Sequence, residues 1–363
     1  MKYLFQLNHP AHYHLFKNSI KELKRKGHEV QILARRKDIL LDLLKNETYD
    51  VLNVQKGKSL LQKIKLNKQA QNEILSYAQI NRPDLIIGTG DFSYVTKKLS
   101  IPSVFCGEDD ANLNLFIFAW ALLTYGNFSS ILAPVGVNNS IWNKKTTFYH
   151  GYHKLAYLHP NWFTPDKKIV EQYFSADKPY FLLRFAKLNA YHDVNAKGID
   201  AVIAQRLIEI LEKHGDIYIT SERKLESQFE KYRLKINALD IHHVMYYSKL
   251  YIGDSQSMAV EAAMLGVPSV RFNDFAGKIS VLEELEHKYG LTFGIKTDKP
   301  ELLYQKIEEL LSMPDLREEF QRRREKMLAD KIDVTAFLVW FIENYPESAR
   351  IMKENPDYQW RFK

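Results

Sequence analysis

Twice along this chain short apolar runs alternate with amphipathic stretches in the rhythm of βαβ units, and one stretch between the two series fits neither rhythm. In the first series, residues 3–7 read as a strand, 12–26 as a helix stopped by Gly27, and 29–34 as the next strand. Leu15, Phe16, Ile20 and Leu23 recur at helical spacing while Lys17, Lys21, Lys24 and Arg25 take the other side, so this helix packs on a sheet. Residues 84–88 and 102–106 supply further strands, each ending where polar residues collect. The break falls at 151–166, where Pro160 and Pro165 interrupt a stretch of little periodicity. The second series begins with a strand at 180–184, a helix at 199–213 and a strand at 217–220; strands at 251–254 and 269–272 then bracket another helix. A chain of 363 residues is too long for one core. The expected fold class is therefore α/β, with two Rossmann-like domains facing a central cleft: 1–160, 161–335, and a helical tail, 336–363, for which the first domain offers a packing surface.

Hydrophobic residues make up 45% of the chain and charged residues 26%, the balance of a folded protein and not of a disordered or fibrous one. Cys106 is the single cysteine, so no internal disulfide holds the fold and a cytoplasmic site is expected. The apolar start at residues 3–7 is too short for a secretory signal. The longest apolar stretch, 115–125, falls well short of the roughly 20 residues that span a bilayer. Its expected state is a buried helix of the first domain; the alternative is an element that dips into a membrane. The net charge of +7, from 51 Lys and Arg against 44 Asp and Glu, is spread along the chain. It suits a nucleotide phosphate, a peripheral contact at the inner face of an anionic membrane, or a plain solvated surface. No nucleic-acid motif accompanies it, so nucleic acid is not an expected partner.

The most informative segment runs from Gly253 to Pro268. A strand delivers the chain to a small polar turn, and the helix that follows opens with free backbone N–H groups and the positive end of its dipole, where a phosphate binds. Ser255 suits an N-cap, followed by Gln256; Ser257 and Glu261, four apart, share a helical face. Glu261 lies among Val260, Ala262, Ala263 and Leu265, where an unpaired carboxylate is costly. Ribose hydroxyls or a structural ion pair with a residue such as Arg271 would satisfy it equally well.

This segment resembles the nucleotide-binding motif of glycosyltransferase B folds and of UDP-N-acetylglucosamine 2-epimerases, in which a Ser leads the phosphate turn and a Glu holds the ribose. With the run Asn8-His9-Pro10-Ala11-His12-Tyr13-His14-Leu15-Phe16 and the run from Gly151 to Pro160, the chain is similar over nearly its whole length to the DUF354 family. The resemblance implies a glycosyltransferase B type of fold with a nucleotide-sugar site. Gln256 and Ser257 stand where glycines are usual in the phosphate turn.

The turn after the first strand holds His9, His12 and His14, in the place where related transferases face their acceptor. A neutral imidazole takes a proton from an acceptor hydroxyl, and His12 is the first choice for this base, with His9 and His14 as alternatives on the acceptor side. Capping the helix or packing against a neighbour is the competing role for all three. No carboxylate follows them at ligand spacing, so no metal is expected. Asp91 and the Glu108-Asp109-Asp110 group follow strands, where carboxylates bind sugar hydroxyls or move protons. Asp91 and Glu108 each resemble an acidic residue of the 2-epimerases, and Asp110 is placed on the acceptor side. Against an epimerase, residues 113–125 contain no acid, and 184–193 lack the His-Arg-Arg-Glu pattern that those enzymes carry. Arg184 and Lys187 can neutralise a diphosphate leaving group, or be surface charge, and Ser221 and Glu222 end a later strand beside the nucleotide base.

The expected activity is a metal-independent, cofactor-free glycosyltransferase. It moves a sugar from a nucleoside diphosphate, UDP first, to a sugar or lipid-linked acceptor in surface polysaccharide or glycolipid synthesis. The alternatives are a UDP-sugar 2-epimerase or hydrolase, and a catalytically inactive nucleotide-sugar binding protein.

Overall fold

The computed structural model describes residues 1–37, 39–53, 60–90, 92–175, 177–186 and 198–363, with side chains for all of these except 60–65. The chain divides into two compact units, Met1–Trp162 with Ile332–Lys363, and Phe163–Lys331.

The first unit is built on a seven-stranded parallel sheet. Its strands are β1 (Lys2–Leu7), β2 (Glu29–Arg35), β3 (Asp50–Leu52), β4 (Leu85–Gly88), β5 (Ser103–Cys106), β6 (Ser130–Pro134) and β7 (Thr146–Tyr149), in the order β3-β2-β1-β4-β5-β6-β7. Connecting helices are α1 (Pro10–Arg25), α2 (Leu40–Leu43), α3 (Leu60–Asn81), α4 (Ser93–Leu99), α5 (Leu115–Thr124) and α6 (Leu155–Leu158). Tyr3, Leu4, Phe5 and Leu7 of β1 and Leu85, Ile86 and Ile87 of β4 are buried. Helices cover a parallel sheet on both faces, so its central strands are mostly apolar. The strand order reverses between β1 and β4, and there the crossovers leave in opposite directions and open a crevice beyond the strand ends. Gly90 lets the turn after β4 close on the turn after β1, since a Cβ there would sit 2.0 Å from Asn8 Nδ2.

The second unit repeats the plan with α7 (Lys167–Glu171), β8 (Tyr180–Phe185), α8 (Ala201–Leu211), β9 (Asp216–Ser221), α9 (Ile241–Tyr247) and β10 (Leu250–Gly253). There follow α10 (Gln256–Met264), β11 (Ser269–Phe272), α11 (Ser280–His287), β12 (Thr292–Ile295), α12 (Pro300–Ser312) and α13 (Leu316–Ala329). The order β12-β11-β10-β8-β9, again parallel, reverses between β8 and β10.

From Ile332 the chain belongs to the first unit again, through α14 (Val334–Glu343) and α15 (Glu347–Glu354). Phe337 of α14 packs on Tyr149 of β7 at 5.4 Å, Thr335 Oγ1 donates to the Ala156 carbonyl at 2.6 Å, and Glu343 pairs with Lys26 and His28. Asp333 caps α14 by accepting from Ala336 N at 2.9 Å, and also accepts from Trp162 Nε1 and Asn161 Nδ2 at 2.8 and 2.9 Å.

One expectation is overturned. Residues 115–124 form a helix, α5, but not a buried one: Leu115, Phe116, Ala119, Leu122 and Leu123 face solvent. Ala121 and Thr124 turn inward, and Phe118 and Trp120 pack on a core containing Phe92, Phe105, Tyr125 and Phe128. Phe105 and Phe128 are already stacked there, 4.9 Å apart and 15° from parallel, so only one side of α5 finds cover. Among the described residues no helix is long and apolar enough to cross a membrane.

Asp333→Ala removes a helix cap and a buried charged acceptor together, and the first unit should lose about 3 kcal/mol. Urea unfolding followed by tryptophan fluorescence measures this; a change below about 0.5 kcal/mol contradicts the role given to Asp333.

Candidate functional site

The first unit gathers its ionisable groups at the reversal between β1 and β4. His9 is the N-cap of α1, with extended backbone and Nδ1 accepting from Ala11 N at 3.2 Å, and Pro10 takes the first helical position, where its missing N–H costs nothing. His12, one turn on, accepts from Asn8 N at 3.1 Å through Nδ1. A backbone N–H can only donate, so in neutral His12 the proton sits on Nε2, and this imidazole is a donor. Burial, then the charges of His9, Lys37, His153 and Lys154, hold its pKa well below the ordinary value of 6.5. His14 is buried against the Tyr157 ring at 5.1 Å. His9 and His14 thus cap and pack; His12 is left facing the charged groups, as a neutral donor and not the base first assigned to it.

Beside it lies a group that the sequence reading did not assemble. Glu108, in the turn after β5, accepts from His153 N at 2.7 Å and from Lys154 Nζ. Burial raises the Glu108 pKa, but the charges of Lys154 and His153 with these two hydrogen bonds outweigh it, and the carboxyl is held below its ordinary value. His153 Nδ1 is 3.8 Å from Glu108 Oε2, and its Nε2 is buried with no hydrogen-bond partner among the described residues. Burial pushes the His153 pKa down to about 4; Glu108 opposes this and Lys154 adds to it. Nδ1 lies on the side of the carboxylate though beyond hydrogen-bond distance, and a neutral His153 protonated there carries an open lone pair on Nε2, as a general base requires. A buried polar atom without a partner is an exception in a native structure and calls for a ligand or a role. The signal in the sequence is the Gly151-to-Pro160 run, which contains His153 and Lys154 and follows a strand, β7, that the apolar pattern does not reveal.

Asp110 is buried and accepts from Asn138 N at 2.7 Å, which ties its loop down. Asp91 lies outside the described residues, as does Lys187.

In the second unit the reversal between β8 and β10 brings together Arg184, Asp254 and the start of α10. Ser255 caps α10, accepting from Met258 N at 3.5 Å, with Gln256 and Ser257 in the first turn and Ser257 exposed. Asp254 accepts from Ala186 N at 2.6 Å and Ile199 N at 3.2 Å, and burial pushes its pKa up to about 6 against these bonds. Arg184, at the end of β8, binds Glu222 through Nη2, while its Nε is buried with no hydrogen-bond partner among the described residues. Ser221 folds back on its own turn, donating to Arg223 O at 2.7 Å and accepting from Arg223 N at 3.2 Å. Glu261 is buried, as expected, and faces His242 of α9 at 3.3 Å. Arg271 is not its partner: that guanidinium binds Glu286 at 2.7 Å. Among the described residues no group of three or more His, Cys, Asp or Glu is arranged to hold a metal ion.

Residues 2–283 match the family described as "Protein of unknown function (DUF354)". None of the curated proteins compared matches the chain. Solved structures do: the UDP-GlcNAc 2-epimerase of Methanocaldococcus jannaschii in complex with UDP-GlcNAc and UDP aligns with a TM-score of 0.63 at 16% identity, covering 90% of this chain and 100% of that one. The UDP-GlcNAc 2-epimerase of Neisseria meningitidis bound to UDP-GlcNAc gives 0.65 at 17% identity, over 94% and 99%. The calicheamicin glycosyltransferase CalG4 gives 0.59 at 15% identity, over 95% and 98%. The fold is of the glycosyltransferase B type.

The two depressed imidazoles set a pH dependence of stability. Unfolded, His153 and His12 take up protons near pH 6.5; folded, His153 does so only near pH 4 and His12 well below 6.5. Stability is therefore complete above pH 6.5 and falls as the pH drops toward 4, by about 3 kcal/mol for His153 alone. Glu108, depressed below 4.5, contributes stability that is lost only at still lower pH. Urea unfolding at pH 7 and pH 4.5 should show this loss, and His153→Gln should remove most of its share; an unchanged slope in the variant contradicts a buried neutral His153.

Proposed function

The chain belongs to the DUF354 family, and on that premise we propose that it is a glycosyltransferase that takes a sugar from a nucleoside diphosphate, with UDP as the nucleotide. The observation that carries the reading is His153, a neutral imidazole with an open Nε2, set beside a carboxylate that Lys154 keeps ionised. The second unit supports it with a capped helix start and an arginine at the strand-order reversal, where open α/β sheets bind phosphates.

In this reading the donor lies on the second unit and the acceptor on the first. His153 Nε2 takes the proton of the acceptor hydroxyl, whose oxygen attacks the anomeric carbon. The bond from that carbon to the diphosphate oxygen breaks, and the diphosphate leaves with the electron pair. Arg184 and the backbone N–H groups opening α10 offset its charge, Arg184 exchanging its exposed partner Glu222 for phosphate oxygens. Glu261 accepts from the ribose hydroxyls, and His12 donates through Nε2 to the acceptor. The chemistry needs no metal or cofactor. A sugar or lipid-linked acceptor of surface polysaccharide or glycolipid synthesis, reached from the cytoplasm, fits the reading.

A 2-epimerase is the second reading, because the same base beside Glu108 could move a proton at C2 of the sugar. The two differ in acceptor dependence.

Calorimetric titration with UDP in EDTA should show binding, weakened at least about ten-fold in Glu261→Ala, the worth of one charged hydrogen bond. If UDP does not bind, the reading fails. With a turned-over UDP-sugar, His153→Gln should lower kcat by about 10²–10⁴ while UDP affinity is unchanged. Deuterium entering the sugar from solvent without acceptor selects the epimerase; sugar transfer only with acceptor selects the transferase.

A further inference from the structure

Helix α5 presents to solvent a face with nothing polar on it. Leu115 is 79% exposed, Phe116 58%, Leu122 51% and Leu123 77%, and Ala119 lies between them. The spacing 115, 119, 122, 123 is one stripe of a helix, so these side chains share a face. The inner face is spent on the aromatic core through Phe118, Trp120 and Ala121. Scattered apolar residues on a surface need no explanation, but a contiguous stripe of them does.

Lysines collect toward the C-terminal end of α5. Lys145 Nζ donates to the carbonyls of Tyr125 and Gly126 at 3.3 and 2.8 Å, at the C-terminal end of α5, and Lys144 beside it is exposed. Ile141, one turn earlier, is 67% exposed next to Trp142, whose ring meets Phe118 and Tyr125. Lys97 and Lys98 are exposed in the last turn of α4, the helix whose Thr96 hydroxyl donates to Asn127 O at 3.1 Å, just beyond α5. Negative charge is almost missing: the sequence has no Asp or Glu from 111 to 165, and none in α4. Asp109, exposed, is the carboxylate whose field reaches Tyr125.

We infer that this face docks on an anionic lipid surface, with Leu115, Phe116, Leu122 and Leu123 entering the acyl boundary and the exposed Lys97, Lys98 and Lys144 meeting the headgroups. A second copy of the chain suits the same face poorly. The face of a second copy carries almost no carboxylate to meet these lysines, since 111–165 and α4 have none, whereas an anionic surface supplies the missing charge. The inference is independent of the sugar chemistry proposed above, which has its own test in nucleotide binding.

The test is co-sedimentation of the full chain with vesicles of phosphatidylcholine alone and of phosphatidylcholine with phosphatidylglycerol. Binding is expected to the anionic vesicles, to fall by about ten-fold or more in Leu122→Glu/Leu123→Glu, and to weaken with salt and in Lys97→Glu/Lys98→Glu. Since Cys106 is the single cysteine and is buried, Leu123→Cys carrying an environment-sensitive dye gives a second readout, a blue shift on adding anionic vesicles. No sedimentation at low salt overturns the inference. So does sedimentation that the stripe variant leaves unchanged, or a dimer of the wild type that Leu122→Glu/Leu123→Glu converts to monomer without any vesicle binding.

Discussion

A wholly parallel sheet can be extended only by crossovers, so each unit must choose where its winding turns round, and that choice governs everything else in this chain. In the first unit it falls between β1 and β4, in the second between β8 and β10. At those two places the helices on either side diverge and strand ends stay uncovered. The residues found there are the chemically equipped ones: Asn8, His9 and His12 at the first, and Arg184, Asp254 and Ser255 at the second. Gly90 and Gly253 serve the same geometry, because a Cβ at either would strike the neighbouring strand's side chains.

The electrostatics of the first unit centre on Glu108. A carboxylate as buried as this one survives only with partners, and it has a lysine and a backbone N–H. It opposes the fall of the His153 pKa, but burial keeps that ring neutral, and burial together with the nearby cations leaves His12 neutral too. A charge held in place beside an uncharged imidazole is a more informative pattern than any of these residues alone.

Much of this was legible before the fold was known. The buried strands β1, β4, β8 and β10 are mostly apolar, and α1 and α8 show their apolar faces at helical spacing, so the repeated βαβ plan is plain. Ser255 as a cap and Glu261 as a buried acid follow from local chemistry. Less legible are β3, only three residues long, and β7, whose Thr146 and Thr147 break the apolar run. With β7 unseen, nothing marked His153 as lying just past a strand end. The tautomer of His12 depended on a backbone donor at Asn8, which pattern reading cannot supply. Composition misled in α5, because hydrophobicity predicts a need for cover and the aromatics beneath had already filled the space.

The first unit is discontinuous, made of residues 1–162 and 332–363 with the whole second unit between them. Tyr149, Trp162 and the carbonyl of Ala156 all find partners on the returning segment. On a ribosome those partners emerge only after the whole of the second unit. The second unit has its entire sequence available before the first unit can finish. A chain released early, short of residue 333, would carry a complete second unit attached to a first one still unsealed.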